Sequence, residues 1–446
     1  MVKTRIFLHD HLTSFRAILI SFVLLVLLGA FLLMLPISSS CGEYTSFIDA
    51  LFTASSAACV TGLVIKDTAT YWSTFGQIII LLLIQIGGLG VITIAITTLM
   101  FTGKRIGIME RSTMQDAISA PQIGGIVKLT RFIFMGTIFL EGVGAFLLSF
   151  VFVKDYGLIK GIGYGIFHSV SAYCNAGFDL IGINNSSSSL MPYISNPIIN
   201  IVIPALIIVG GLGFFTWRDI IDAKFHFKPL RLQSKIILTT TLLLIILPFI
   251  YFFFVEFKSF TLGERVMASF FQSVTPRTAG FSTVNYGEMS EIGLIITILL
   301  MLVGGAPGST AGGVKVTSLF VLFAFTISYL RQKDNVNCYR RRIEDKTIEY
   351  AIAVVFLYFF LLLMGAMIVS SIEKISFLPA LFECASAIGT VGLSMGITSS
   401  LGSVSLLILI TFMWFGRLGI LTIAYAAVNT KSKVPSKLPS EKIIIG

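Results

Sequence analysis

The chain has 446 residues, of which 55% are hydrophobic and 12% charged, and its mean hydropathy is +0.92. A soluble protein carries about a quarter charged residues, so a soluble enzyme or nucleic-acid-binding domain is excluded and an integral membrane protein remains. The net charge of +10 does not point to nucleic acid, because the basic residues fall in blocks between apolar runs without interleaved aromatics, as the positive-inside rule requires.

Lys3, Arg5 and Arg16 precede an apolar run from Ala17 to Pro36. That run is longer than the apolar part of a signal peptide, so it is read as a retained first helix. Further runs near 72–101, 128–153, 196–217, 236–256, 291–330, 348–372 and 401–428 are each long enough to cross a bilayer. Between the members of each pair lies a shorter apolar stretch, at 46–59, 161–174, 262–275 and 376–389. Such stretches are too short to span and read as re-entrant segments. The expected fold is an all-α integral membrane protein of four tandem helix–pore loop–helix repeats around a pseudo-fourfold central pore, with eight transmembrane helices and four re-entrant pore helices. The repeats divide at 1–103, 104–218, 219–335 and 336–430, with a C-terminal tail at 431–446.

Most basic residues lie before the first span, between the repeats or in the tail. Examples are Lys104, Arg105 and Arg111, then Arg218, Lys224, Lys228 and Arg231, then Arg331, Lys333 and Arg340 to Arg342. Both termini are therefore expected in the cytoplasm, with the re-entrant tips open to the outside. Gly182 to Leu190 is a polar insertion in an outer loop. Five cysteines, at 41, 59, 174, 338 and 384, form no CxxC pair and read as reduced packing residues.

Each re-entrant stretch runs into a copy of one motif: Ser56 to Leu63 (SAACVTGL), Ser171 to Phe178 (SAYCNAGF), Val274 to Phe281 (VTPRTAGF) and Ser386 to Leu393 (SAIGTVGL). Ten residues before each motif glycine stands a phenylalanine, Phe52, Phe167, Phe270 or Phe382. Side chains before the glycine differ, but Gly62, Gly177, Gly280 and Gly392 do not. Fixed backbone freedom with varied side chains points to carbonyl oxygens as the working groups, since a carbonyl ring can replace the hydration shell of a cation. The candidate selectivity filter is thus Val60-Thr61-Gly62, Asn175-Ala176-Gly177, Thr278-Ala279-Gly280 and Thr390-Val391-Gly392, with each pore helix aiming its negative end at the ion.

A second glycine cluster follows each tip by 25, 33, 24 and 24 residues, starting at Gly87, Gly210, Gly304 and Gly416. Gly88, Gly211, Gly305 and Arg417 should then share one level under the filter. Arg417 is expected to project into the path as a barrier or to bind a gate, with snorkelling toward the cytoplasm as the alternative. In the third repeat the cluster widens to Gly304-Gly305-Ala306-Pro307-Gly308-Ser309-Thr310-Ala311-Gly312-Gly313, followed by Lys315. Poor helix formers across a long apolar run predict an irregular intramembrane loop, a candidate gate. Its GAPGSTAGGVK sequence lacks the Gly-Lys-Ser/Thr ending of a phosphate loop. Lys315 is expected in the inner vestibule or on carbonyls. A membrane-embedded enzyme would need a catalytic pair, and Glu141, His168 and Glu383 are its candidates; structural hydrogen bonding behind the filter is the alternative. His168 and Glu383 hold the same repeat position and could be neighbours around the axis.

These motifs, with FGRLG at 415–419, resemble the Trk/Ktr/HKT superfamily of potassium transporters over nearly the whole chain. Starting directly at repeat one, the chain is most similar to the Ktr-type membrane subunit. The resemblance implies potassium uptake and a homodimer with one pore per protomer. It also implies a cytoplasmic RCK-type regulatory ring that carries the nucleotide (ATP or ADP), while this chain carries no covalent cofactor and meets membrane lipid but no nucleic acid. The filter glycines imply potassium preference, since relatives with serine at the position of Gly62 pass sodium more readily. Ktr-type systems are often sodium-dependent, which adds Na+ as a candidate coupling ion. A Trk-type proton-coupled or less selective K+/Na+ transporter is the alternative.

Overall fold

A computed structural model describes residues 14–91, 93–94, 115, 125–182 and 189–427. Lys3, Arg5, Lys104, Arg105, Arg111, residues 183–188 of the polar insertion and the tail at 431–446 lie outside the described residues. Repeat one comprises α1 (Ser14–Met34), α2 (Phe47–Ala58) and α3 (Thr74–Leu89). Repeat two comprises α4 (Ile126–Tyr156), α5 (Leu158–Tyr173), α6 (Pro197–Gly211) and α7 (Phe214–Asp222). Repeat three comprises α8 (Leu232–Tyr251), α9 (Leu262–Val274), α10 (Glu291–Met301) and α11 (Val316–Leu330). Repeat four comprises α12 (Asp345–Glu373), α13 (Phe377–Gly389), α14 (Ser403–Leu418) and α15 (Ile420–Ala427). Among the described residues the β structure is one short hairpin, β1 (Asn337–Cys338) with β2 (Arg341–Arg342), and two isolated bridges.

The first helix of each repeat is a continuous span: Arg16–Met34, Ile126–Tyr156, Leu232–Glu256 and Asp345–Glu373 are long and apolar enough to cross a membrane. Their outward faces carry Leu24, Leu28, Phe139, Phe146, Leu247 and Phe356 exposed, as expected of surface that lipid covers. The pore helices α2, α5, α9 and α13 are short. At 1.5 Å per residue, 12 residues reach roughly 18 Å, well under the ~30 Å hydrocarbon thickness. Their inner ends are fully enclosed, from Phe52 to Ala58 in α2 and from Phe382 to Gly389 in α13.

The second span of each repeat departs from a simple helix. α3 stops at Gly90 (φ 88°), α6 and α7 meet at Gly213 (φ 84°) with a 92° bend, and α14 and α15 meet at Gly419 (φ 86°). In repeat three the break opens into the whole segment between α10 and α11. The third glycine of GGLG and the last of GRLG supply the break, because a left-handed residue ends a helix at little cost only when it lacks a Cβ. The sequence expectation placed a break in repeat three alone; continuous apolar composition hid the other three.

One buried cluster joins all four repeats, including Phe52, Phe167, Phe271 and Phe382. The buried phenylalanine of repeat three is thus Phe271, while Phe270 is only partly buried. The hydrogen bonds give the reason. The backbone carbonyls of Ser56, Ser171 and Ser386 accept from the N–H five residues on (Thr61, Ala176, Val391), but Thr275 accepts from Ala279, only four on. The third tip is one residue shorter, so its helix is offset by one against its glycine.

Candidate functional site

All four motif glycines lie in the left-handed region, with φ of 93° at Gly62, 68° at Gly177, 82° at Gly280 and 93° at Gly392. The residue two before each is also left-handed: Val60 (58°), Asn175 (61°), Thr278 (68°) and Thr390 (51°). Alternate positive φ values are rare for non-glycine residues and hold only where the surroundings enforce them. Here the end of each pore helix does so. Ser56 and Ser386 accept the N–H of Gly62 (3.1 Å) and Gly392 (3.0 Å) on Oγ, while Ser171 Oγ donates to the Phe178 carbonyl at 2.8 Å.

The tips form a closed ring. A Cβ on Gly62 would collide with the Ala176 carbonyl, one on Gly177 with Ala279, one on Gly280 with Val391, and one on Gly392 with Thr61. Each tip abuts the next, in the order of the repeats, and no side chain fits at any of the four places. Thr61, Ala176, Ala279 and Val391 are all inaccessible. On one side of the ring is a cavity of about 160 Å³ lined by the four glycines together with Asp67, Asp179 and Asn285. On the other is a cavity of about 480 Å³ lined by Gly87, Gly88, Pro307, Ser309, Lys315 and Arg417.

Below the ring the glycine clusters pack on the pore-helix ends. Gly87, Gly210 and Gly416 face the carbonyls of Ala58, Tyr173 and Ile388, each four residues before its motif glycine. Repeat three replaces this contact with the 304–313 segment, which folds into the space beneath the ring. Its backbone bonds reach repeat two through Ala306 to Gly211, Thr310 to Gly210 and Phe214 to Gly308, and repeat four through Gly313 to Gly416. The Thr310 hydroxyl donates to the Tyr173 carbonyl at 3.1 Å, and Gly312 lies against the Thr390 side chain.

Arg417 binds this segment. One guanidinium nitrogen donates to the Thr310 carbonyl; the other donates to Gly87 (2.6 Å) and Gly88 (2.9 Å) of repeat one. Lys315 donates back to Ala311 at 2.8 Å. Both cations therefore sit on carbonyls, and Arg417 neither snorkels away nor stands clear of the segment. Arg417 of repeat four thus joins the segment of repeat three to α3 of repeat one.

Glu141, His168 and Glu383 make no catalytic pair. His168 and Glu383 belong to repeats two and four, on opposite sides of the ring, rather than to neighbours as the sequence allowed. His168 bonds Tyr164 and Leu180, and Glu383 bonds Ser394, Met395 and Thr398. Glu141 accepts from Gln85 at 3.2 Å. No group of three or more His, Cys, Asp or Glu side chains is placed to hold a metal ion among the described residues, and all five cysteines are free thiols.

Residues 11–437 match the family model described as TrkH, cation transport protein. The chain is 40% identical to the potassium/sodium uptake protein NtpJ of Enterococcus hirae, over the full length of both. It is also 40% identical to the Ktr system potassium uptake protein B of Bacillus subtilis, covering 93% of each, and 35% identical to that of Vibrio alginolyticus, covering 97% of this chain and 94% of the relative. Among solved structures, the potassium transporter TrkH of Vibrio parahaemolyticus has a similar fold, with TM-score 0.69 at 19% identity over 92% of this chain and 85% of that one. Four helix–pore loop–helix repeats closing a glycine ring, on a chain matched end to end, identify this protein as a membrane-embedded cation transporter of the TrkH family, not an enzyme.

Proposed function

We propose that the chain conducts potassium ions into the cell along the axis of the glycine ring, as the names of its Enterococcus and Bacillus relatives suggest. The observation that carries this reading is the closed ring of four backbone segments with no room for a side chain. Carbonyls of the filter residues, from Val60 to Gly62 and at the three equivalent tips, replace the hydration shell of the ion. The pore-helix C-termini add their negative ends from four directions. Inward movement of one charge gains ~2.3 kcal/mol per 100 mV, so no fuel-binding site is needed in this chain.

Control is assigned to the level beneath. The 304–313 segment is the gate, and Arg417 with Lys315 holds it closed under the filter. Each repeat, with the boundaries 1–103, 104–218, 219–335 and 336–430, contributes one quarter of the pathway, and both termini face the cytoplasm. A homodimer on a nucleotide-binding regulatory ring, with sodium as a second ion, follows from the Ktr-type resemblance; sodium is also in the name of the Enterococcus relative. Rubidium uptake in potassium-starved cells tests the filter. Uptake should weaken sharply in Gly62→Ser and Gly392→Asp, and unchanged uptake and selectivity in both would sink the carbonyl reading. Deleting Gly308 to Gly312 should raise flux in the absence of the regulatory ring; lost flux in a folded protein would count against the gate.

A further inference from the structure

The residue that follows the buried phenylalanine of each pore helix is polar and inaccessible: Thr53, His168, Gln272 and Glu383. Three of these side chains reach beyond their own helix to the chain returning from the filter glycine. His168 Nδ1 lies 2.8 Å from the Tyr164 carbonyl, which can only accept, so that nitrogen carries the proton. Its Nε2 then accepts from the N–H of Leu180 at 3.3 Å, three residues past Gly177. Gln272 accepts from the Tyr286 hydroxyl and lies 3.4 Å from that of Thr283. Thr53 differs, spending its hydroxyl on the Asp49 carbonyl one turn back at 2.9 Å.

Glu383 makes the densest set. Its carboxyl receives Ser394 Oγ at 2.6 Å, Met395 N–H at 3.0 Å and Thr398 Oγ1 at 2.8 Å. All three donors lie within six residues after Gly392, and Ser394, Met395 and Thr398 line the outer cavity. Both carboxyl oxygens act as acceptors, Oε1 from Ser394 and Met395 and Oε2 from Thr398. The segment 393–398 is therefore tied from behind at the point where an ion would enter the ring. A binding constellation keeps its geometry to within about half an ångström only where hydrogen bonds behind it hold it.

We infer that Glu383 is a positioning residue for ion discrimination, which through Ser394, Met395 and Thr398 fixes the outer wall of the filter, with His168 and Gln272 as weaker counterparts in repeats two and three. The inference rests on the carbonyl-filter reading, and its test separates the two. Potassium and sodium uptake would be measured separately, as KM and maximal rate, in vesicles containing wild type, Glu383→Gln, Ser394→Ala with Thr398→Val, or Gly392→Ser. Glu383→Gln keeps the shape but leaves one acceptor oxygen where there were two, so that Thr398 Oγ1 must turn from donor to acceptor, and should lower discrimination about tenfold, chiefly by raising KM for potassium. The Ser394/Thr398 pair removes donors without touching the pore helix and should shift the ratio the same way. Wild-type discrimination in both, beside its loss in Gly392→Ser, overturns the assignment to Glu383. Wild-type discrimination in Gly392→Ser overturns the filter reading itself.

Discussion

The glycine ring and the level beneath it are built from the same four repeats yet obey different rules. In the ring, each repeat contributes a left-handed glycine, a left-handed residue two before it, and a carbonyl against the next glycine. Beneath it, three repeats place a glycine on a pore-helix carbonyl, whereas the third inserts a ten-residue segment and the fourth an arginine where the first two have glycine. A task needing equal contacts from all sides keeps its symmetry. The level below, where we propose the gate, gives it up: the segment is held by Arg417 and by backbone bonds to neighbours on two sides.

That contrast can be broken experimentally. The largest effect is expected for Gly392→Asp, because a Cβ there meets the Thr61 carbonyl and lies 2.9 Å from Gly62 Cα. Strain of about 1–3 kcal/mol at a forced left-handed site corresponds to a loss of about 5- to 150-fold, seen as rubidium uptake in vesicles. Next is Arg417→Ala. Removing donors to Thr310, Gly87 and Gly88 frees the gate, and basal flux should rise several-fold while the potassium-to-sodium ratio stays constant. Thr310→Val removes one neutral bond to Tyr173, worth about 1 kcal/mol, and should raise flux by less. The smallest effect belongs to Gly90→Ala. There φ is +88° but the nearest atom to a Cβ is Thr93 Oγ1 at 3.7 Å, so only backbone strain of about 1 kcal/mol is added. Its Tm should fall by about one degree with ion selectivity unchanged.

These features were unequally legible in the sequence. The ring was legible because a left-handed backbone with no room for a Cβ can be written only as glycine, so Gly62, Gly177, Gly280 and Gly392 recur where their neighbours vary. The breaks at Gly90, Gly213 and Gly419 were written in the same letters but were masked by apolar residues on both sides, which suit one helix or two. The shift from Phe270 to Phe271 was hidden because the two are adjacent and the shortened tip shows only in which N–H reaches Thr275. Arg417 was visible as an anomaly, but its partners were not: carbonyl oxygens belong to every residue and leave no mark in a sequence. Val60, a β-branched residue held at φ 58°, gives no hint of that conformation in its own preferences.

If discrimination resides in the ring and control in the level below, the two respond separately to substitution. Sodium and potassium fluxes, varied separately in vesicles reconstituted with wild type and Arg417→Ala, test it most directly. Arg417→Ala should show a higher rate with the wild-type ion ratio. A collapsed ratio, or a lower rate in correctly folded protein, would contradict it.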